Sequence, residues 1–161
     1  IVITAKGLAS GFPISAIAAS TELMGKAWPG SQGGTYGGNA VAAAAGVATL
    51  DVVREEGLVA NAAAQGRVLL DGLLALKSEH SAIGDARGLG LMQALEFVDS
   101  AGNPDAAAAL RVQQGAIDEG LLLLTCGALG NVVRIIPALI VSDDEMRQGL
   151  DALSRTLKNV L

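Results

Sequence analysis

Apolar and polar positions along the chain fall into short units that change period repeatedly. Residues 1–4 are a β-branched run that stops at Lys6-Gly7. Gly7, Gly11 and Pro13 then punctuate the chain before an apolar stretch over 14–19, which predicts a strand, a tight turn and a second strand. Residues 28–39 are mostly Gly, Pro, Ser, Thr and Asn, a loop composition, and Asn39 is placed to cap a helix that starts at Ala40 and ends near Glu56, ahead of Gly57. A second helix carries Ala62, Gly66, Leu69, Leu73 and Leu76 at alternating spacings of four and three, so one of its faces is expected to be buried.

Beyond that helix the residues around 84–90 read as a turn, and 91–98 as a strand. Asn103-Pro104 is expected to open a helix that runs to Gly120. Strands over 121–124 and 132–136 follow, separated by a Gly-bearing turn. Ser142-Asp143-Asp144-Glu145 then has the form of a capping box ahead of a last helix that buries Met146, Leu150, Leu153 and Leu157. The alternation of helix and strand predicts an α/β unit over 57–161, with 1–56 as the end of a larger domain. No internal repeat or low-complexity linker interrupts the chain.

Composition decides what the core is made of. The 161 residues are 51% hydrophobic yet include one Trp, one Tyr and two Phe, so aliphatic side chains must form nearly all of it. The net charge of −5 is carried by scattered acids, which excludes the basic stripe that nucleic acid or an anionic membrane would require. The longest uncharged apolar stretch, 39–50, falls short of the ~20 residues of a spanning helix. Cys126 is the single cysteine and makes no internal disulfide, so a reducing compartment is expected, the cytoplasm by default. The first residue lies inside a predicted strand with neither an initiator Met nor a signal pattern, and the chain is expected to be a piece of a longer protein.

Three places could carry chemistry. Lys6 ends an apolar strand beside Gly7, and desolvation at such a site favours the neutral amine that attacks an aldehyde; the alternative is a solvated lysine at a strand end. Residues 33–39, Gly-Gly-Thr-Tyr-Gly-Gly-Asn, bring hydroxyls, backbone amides and a helix N-terminus together as a phosphate cradle, although such loops also arise for structural reasons alone. The loop lacks the Lys of a Walker motif, and the spacing of a dinucleotide fold is absent, which argues against a nucleotide-binding protein. Arg134 interrupts the apolar strand 132–136 with a charge that is costly to bury unless an anion meets it. That anion is either a substrate carboxylate or an internal Asp or Glu, and solvent is the third possibility. Cys126 and His80 are most simply a core thiol and a surface imidazole, and no metal-ligand set is expected.

In order, Ala5-Lys6-Gly7, Gly11-Phe12-Pro13 and the 33–39 loop resemble the cofactor-lysine segment and phosphate loop of class III aminotransferases. Residues 85–92, the 120–127 strand region and Asn131-Val132-Val133-Arg134 through Pro137 resemble that family's C-terminal domain, so the resemblance covers essentially the whole chain. The Gly-Gly-Thr-Tyr form of the loop is most similar to 4-aminobutyrate aminotransferases, whereas acetylornithine enzymes typically carry a His before the Thr, where this chain has Gly33 or Gly34.

The resemblance implies the C-terminal part of a fold-type-I transferase dependent on pyridoxal phosphate, comprising the end of the large domain (1–56) and the small α/β domain (57–161). It implies that Lys6 holds the cofactor as a Schiff base and shuttles the proton, and that Gly34 and Thr35 bind its phosphate, serving the partner subunit of a homodimer. Arg134 is implied to bind a substrate carboxylate. The implied reaction moves an amino group from an omega-amino acid such as 4-aminobutyrate to 2-oxoglutarate by a ping-pong route. The alternatives are an acetylornithine or ornithine aminotransferase, or a folded or self-associating domain without activity. Gly57, Arg87, Gly88 and Gly90 match family positions and are expected to serve turns and packing. The family places the acidic partner of the pyridine nitrogen, the first phosphate turn and the stacking aromatic upstream of the lysine, so this length of chain is expected to be inactive alone.

Overall fold

The computed structural model describes every residue of the chain except Gln32 and forms two compact units, Ile1–Leu58 and Val59–Leu161. In the first unit, β1 (Val2–Thr4) and β2 (Ala16–Ala18) pair antiparallel with Ile3 opposite Ile17. The connection is more than a tight turn. Residues Lys6–Ala9 wind into a 3-10 turn that Ser10 closes in the left-handed conformation. A one-turn helix, α1 (Thr21–Met24), follows β2, with Ser20 Oγ accepting from the Leu23 N–H. The sequence pattern gave no sign of it, because four residues are too few to show a period.

Turns over residues 29–31 and 35–38 precede α2 (Ala40–Glu55). Asn39 Oδ1 accepts from the N–H groups of both Val41 and Ala42 at 3.1 Å, satisfying two donors that the helix leaves free. At the far end Gly57 takes φ 64°, which lets the chain leave α2 and enter α3 (Leu58–Glu79). Small residues on α2 admit the 3-10 turn. Ala9 and Ala42 are buried, and a Cβ built on Gly46 would stand 3.9 Å from Ala9 Cβ.

The second unit is one antiparallel sheet backed by helices. Its strands are β3 (Ile83–Leu89), β4 (Met92–Phe97), β5 (Leu124–Cys126) and β6 (Val132–Ile135), in the order β3-β4-β6-β5. Leu95, Phe97 and Val133 point from the sheet into a core completed by Leu69, Leu73 and Leu76 of α3, Val112 and Ala116 of α4 (Ala106–Asp118), and Met146, Leu153 and Leu157 of α5 (Asp143–Val160). As the composition requires, one Phe suffices as the aromatic of this core. The Ser142 capping box at the start of α5 is complete: Ser142 Oγ accepts from the Glu145 N–H while the Glu145 carboxylate accepts from the Ser142 N–H.

Several expectations are corrected here. Residues Ile83–Leu89 are a strand, not a turn, with the turn confined to the two residues between β3 and β4. Gly88 misled because it is present for close approach and not for bending: a Cβ there would lie 2.6 Å from Gln93 Cα on the neighbouring strand. The helix expected to open at Asn103-Pro104 starts at Ala106, because Asp105 is the capping residue and Pro104 bridges back to Val98. Leu121 stays tied to the end of α4 through its N–H to Ala116 O, so β5 starts at Leu124. Leu150 is only half-buried at the edge of the core.

Candidate functional site

The predicted site residues fall into two groups, one in each unit. In the first unit Lys6 opens the 3-10 turn with φ 53°, and Ser10 closes it with φ 46°. A positive φ is costly for a residue with a side chain, and two of them within five residues mark a strained segment. That segment is fixed from behind by Ala9 against α2 and by Ser10 Oγ, which lies 3.4 Å from Thr49 Oγ1. Lys6, Gly7, Ser10, Gly11, Phe12, Pro13 and Ile14 line an open concavity. Lys6 is exposed among the described residues, and its distinctive feature is its backbone.

In the 33–39 loop the Gly37 N–H donates to Gly34 O at 2.9 Å, which puts Thr35 and Tyr36 at the tip of a turn. Thr35 is exposed, and Tyr36 is 86% exposed. The next residues, Gly38 and Asn39, lead directly into α2, so the loop presents a hydroxyl and backbone donors beside the positive end of a helix. These are donors suited to a phosphate, and the Lys6 amine is suited to an aldehyde. The residues present therefore fit pyridoxal phosphate in kind.

In the second unit one face of the sheet carries the core and the other carries the charges. On the outer face Arg134 stands opposite Ala94 on β4 and Leu124 on β5, and Ala94 in turn stands opposite Arg87 on β3. Arg134 is exposed on this face, which agrees with the solvent-reaching reading among the alternatives. The ion pairs of this unit use Lys77, Arg87, Arg147 and Arg155; among the described residues Arg134 forms none. Among the described residues no carboxylate is its partner, and its guanidinium stands open.

Arg87, expected to serve a turn, instead bridges two carboxylates: Nη1 reaches Asp85 Oδ2 at 2.8 Å and Nη2 reaches Glu96 Oε2 at 2.7 Å. Lys77 Nζ lies 3.6 Å from Asp85 Oδ1. The Arg87 hydrogen bond holds the Asp85 carboxyl below its ordinary value, with the Ala86 N–H and the two cationic charges adding to it and desolvation opposing it. The same bonds raise the Arg87 guanidinium. In a strand, Asp and Arg two residues apart share one face, which is the sign of this bridge that the sequence carries.

His80 is half-buried, with its Nε2 enclosed and unpartnered, and Cys126 is half-buried and free. Both differ from the surface imidazole and core thiol expected. Among the described residues no group of three His, Cys, Asp or Glu is placed to hold a metal ion, and no helix is long and apolar enough to cross a membrane.

The class-III aminotransferase profile matches residues 1–157. The 4-aminobutyrate aminotransferase of Mycobacterium leprae is 40% identical over 158 residues, covering 98% of this chain and 35% of the relative. That of Escherichia coli is 43% identical over 153 residues, covering 94% of this chain and 36% of the relative. A PLP-bound amine transaminase from an uncultivated Pseudomonas species superposes with a TM-score of 0.87 at 30% identity, covering 99% of this chain and 38% of that one. The chain thus spans about a third of the length of the curated relatives it matches. It belongs to the class-III aminotransferase family, as an α/β portion of that fold.

Proposed function

We propose that the protein of which these residues form part transfers an amino group from an omega-amino acid, 4-aminobutyrate foremost, to 2-oxoglutarate, with pyridoxal phosphate attached through Lys6. The observation that carries this reading is the positive φ of Lys6 in a turn braced against α2, a strain expected where a reactive amine must be held in one place. The names of the most similar relatives supply the donor and the reaction class.

When bound, the cofactor supplies the electron sink that makes the substrate's carbon acid labile. The chain's own residues do the rest. Lys6 Nζ would hold the cofactor and, as a free amine, would take and return the proton at the substrate carbon. Gly34 and Thr35 hold the phosphate through backbone N–H and hydroxyl donors, with the N-terminus of α2 favouring the negative charge. Arg134 orients a substrate carboxylate through a two-pronged hydrogen bond, which its lack of an internal partner leaves available.

A homodimer in the cytoplasm completes the proposal. These 161 residues alone are proposed to bind the cofactor without turning over; steady glutamate production by the purified chain would contradict that part.

The phosphate site is tested by comparing pyridoxal phosphate with pyridoxal. The phosphorylated form is expected to bind about tenfold or more tightly to the chain, and Thr35→Ala is expected to remove much of that advantage, a charge-assisted hydrogen bond being worth about 1.5–3 kcal/mol. Equal affinities for the two compounds would overturn the assignment of the loop.

A further inference from the structure

We infer that Arg87 is a positioning residue for carboxylate recognition: by holding Glu96, it keeps the one strand-borne carboxylate within reach of Arg134 from neutralising that guanidinium. The inference rests on the reading of Arg134 as the carboxylate-binding residue and adds what keeps it free.

Register places the groups. Ala94 pairs with Arg134 and Glu96 with Val132, so Glu96 lies diagonally across from Arg134 on the same outer face of β4 and β6. Diagonal neighbours in an antiparallel pair are within reach of long side chains, and opposite charges there attract. A Glu and an Arg so placed would ordinarily pair. Here the Glu96 carboxylate turns the other way, toward β3, where Arg87 Nη2 holds it at 2.7 Å.

The two carboxylates that Arg87 bridges are not equivalent. Asp85 has a second cation in Lys77 and stands one strand further from Arg134, on β3. Glu96 has Arg87 as its ion-pair partner and half-buried surroundings that discourage it from standing unpaired. Removing Arg87 therefore leaves Asp85 paired and sets Glu96 free toward Arg134. The Asp85–Arg87–Glu96 bridge thus gives the outer face two cations of different kinds, one saturated within the fold and one open to a ligand.

The test is the Nε–Hε resonance of Arg134 in the folded chain and its variants, together with 2-oxoglutarate affinity. Arg87→Gln is expected to shift and protect the Arg134 signal and to weaken 2-oxoglutarate binding roughly two- to fivefold, the size of a partly exposed ion pair formed in competition. Arg87→Gln/Glu96→Gln is expected to return both to the wild-type values, and Glu96→Gln alone to leave both unchanged. An Arg134 signal that does not move in Arg87→Gln, or that moves and is not restored in the double variant, overturns the inference. The reading beneath it fails separately: it is overturned if Arg134→Gln binds 2-oxoglutarate as well as wild type does, an outcome that the position of Glu96 does not affect.

Discussion

Gly66 of α3 and Gly90, at the turn between β3 and β4, meet backbone to backbone: a Cβ added to Gly66 would stand 2.6 Å from Gly90 Cα. Gly66 thus has no room for a side chain, and Gly90 takes φ 54° to make that turn, a conformation strained for a residue with one. This contact seats the helix directly on the hairpin that carries Arg87.

Gly66→Ala is accordingly expected to destabilise the second unit. Helix propensity alone would favour the alanine by about 1 kcal/mol, but forcing a methyl group against backbone costs about 1–3 kcal/mol. The measurement is the urea midpoint at constant slope, and a midpoint that rises would mean the helix does not pack this closely.

Asn39 gives the corresponding prediction for the first unit. Asn39→Ala removes the acceptor for two free N–H groups of α2 and is expected to cost about 1 kcal/mol, whereas Asn39→Asp or Asn39→Ser keeps an acceptor and most of the stability. Hydrogen exchange at Val41 and Ala42 reads it locally. Protection unchanged in Asn39→Ala would show that the cap contributes nothing.

The Asp85–Arg87 pair predicts an acid dependence of definite sign. The folded carboxyl sits below its ordinary value, so its contribution is present above the unfolded aspartate pKa of about 3.9 and is lost as the pH falls through the lower folded value. The group is about half exposed and the effect is small. The difference in urea midpoint between wild type and Arg87→Gln is expected to be largest near neutrality and to shrink below about pH 4. A difference that grows on acidification would contradict the sign.

What the sequence disclosed depended on whether a local pattern reported a local cause. The Asn39 cap, the Ser142 capping box and the buried face of Leu69, Leu73 and Leu76 were legible because spacing within one helix determines them. The strand Ile83–Leu89 was not, since its glycines answer to the neighbouring strand and carry no trace of that neighbour in the sequence. Lys6 was marked by its motif, while its positive φ and the bracing by Ala9 became visible only with the fold. Arg134 was marked by being out of place in an apolar strand. Its exposure, and the diversion of Glu96 to Arg87, depend on which strands flank it.

The most direct test of the central claim is to add pyridoxal phosphate, reduce with borohydride and locate the adduct by mass spectrometry, with Lys6→Ala alongside. Among the chain's lysines Lys6 alone has a backbone in the left-handed region, and the account predicts one adduct per chain, confined to Lys6 and lost in Lys6→Ala. Labelling spread over Lys26, Lys77 and Lys158, or a total unchanged in Lys6→Ala, would contradict it.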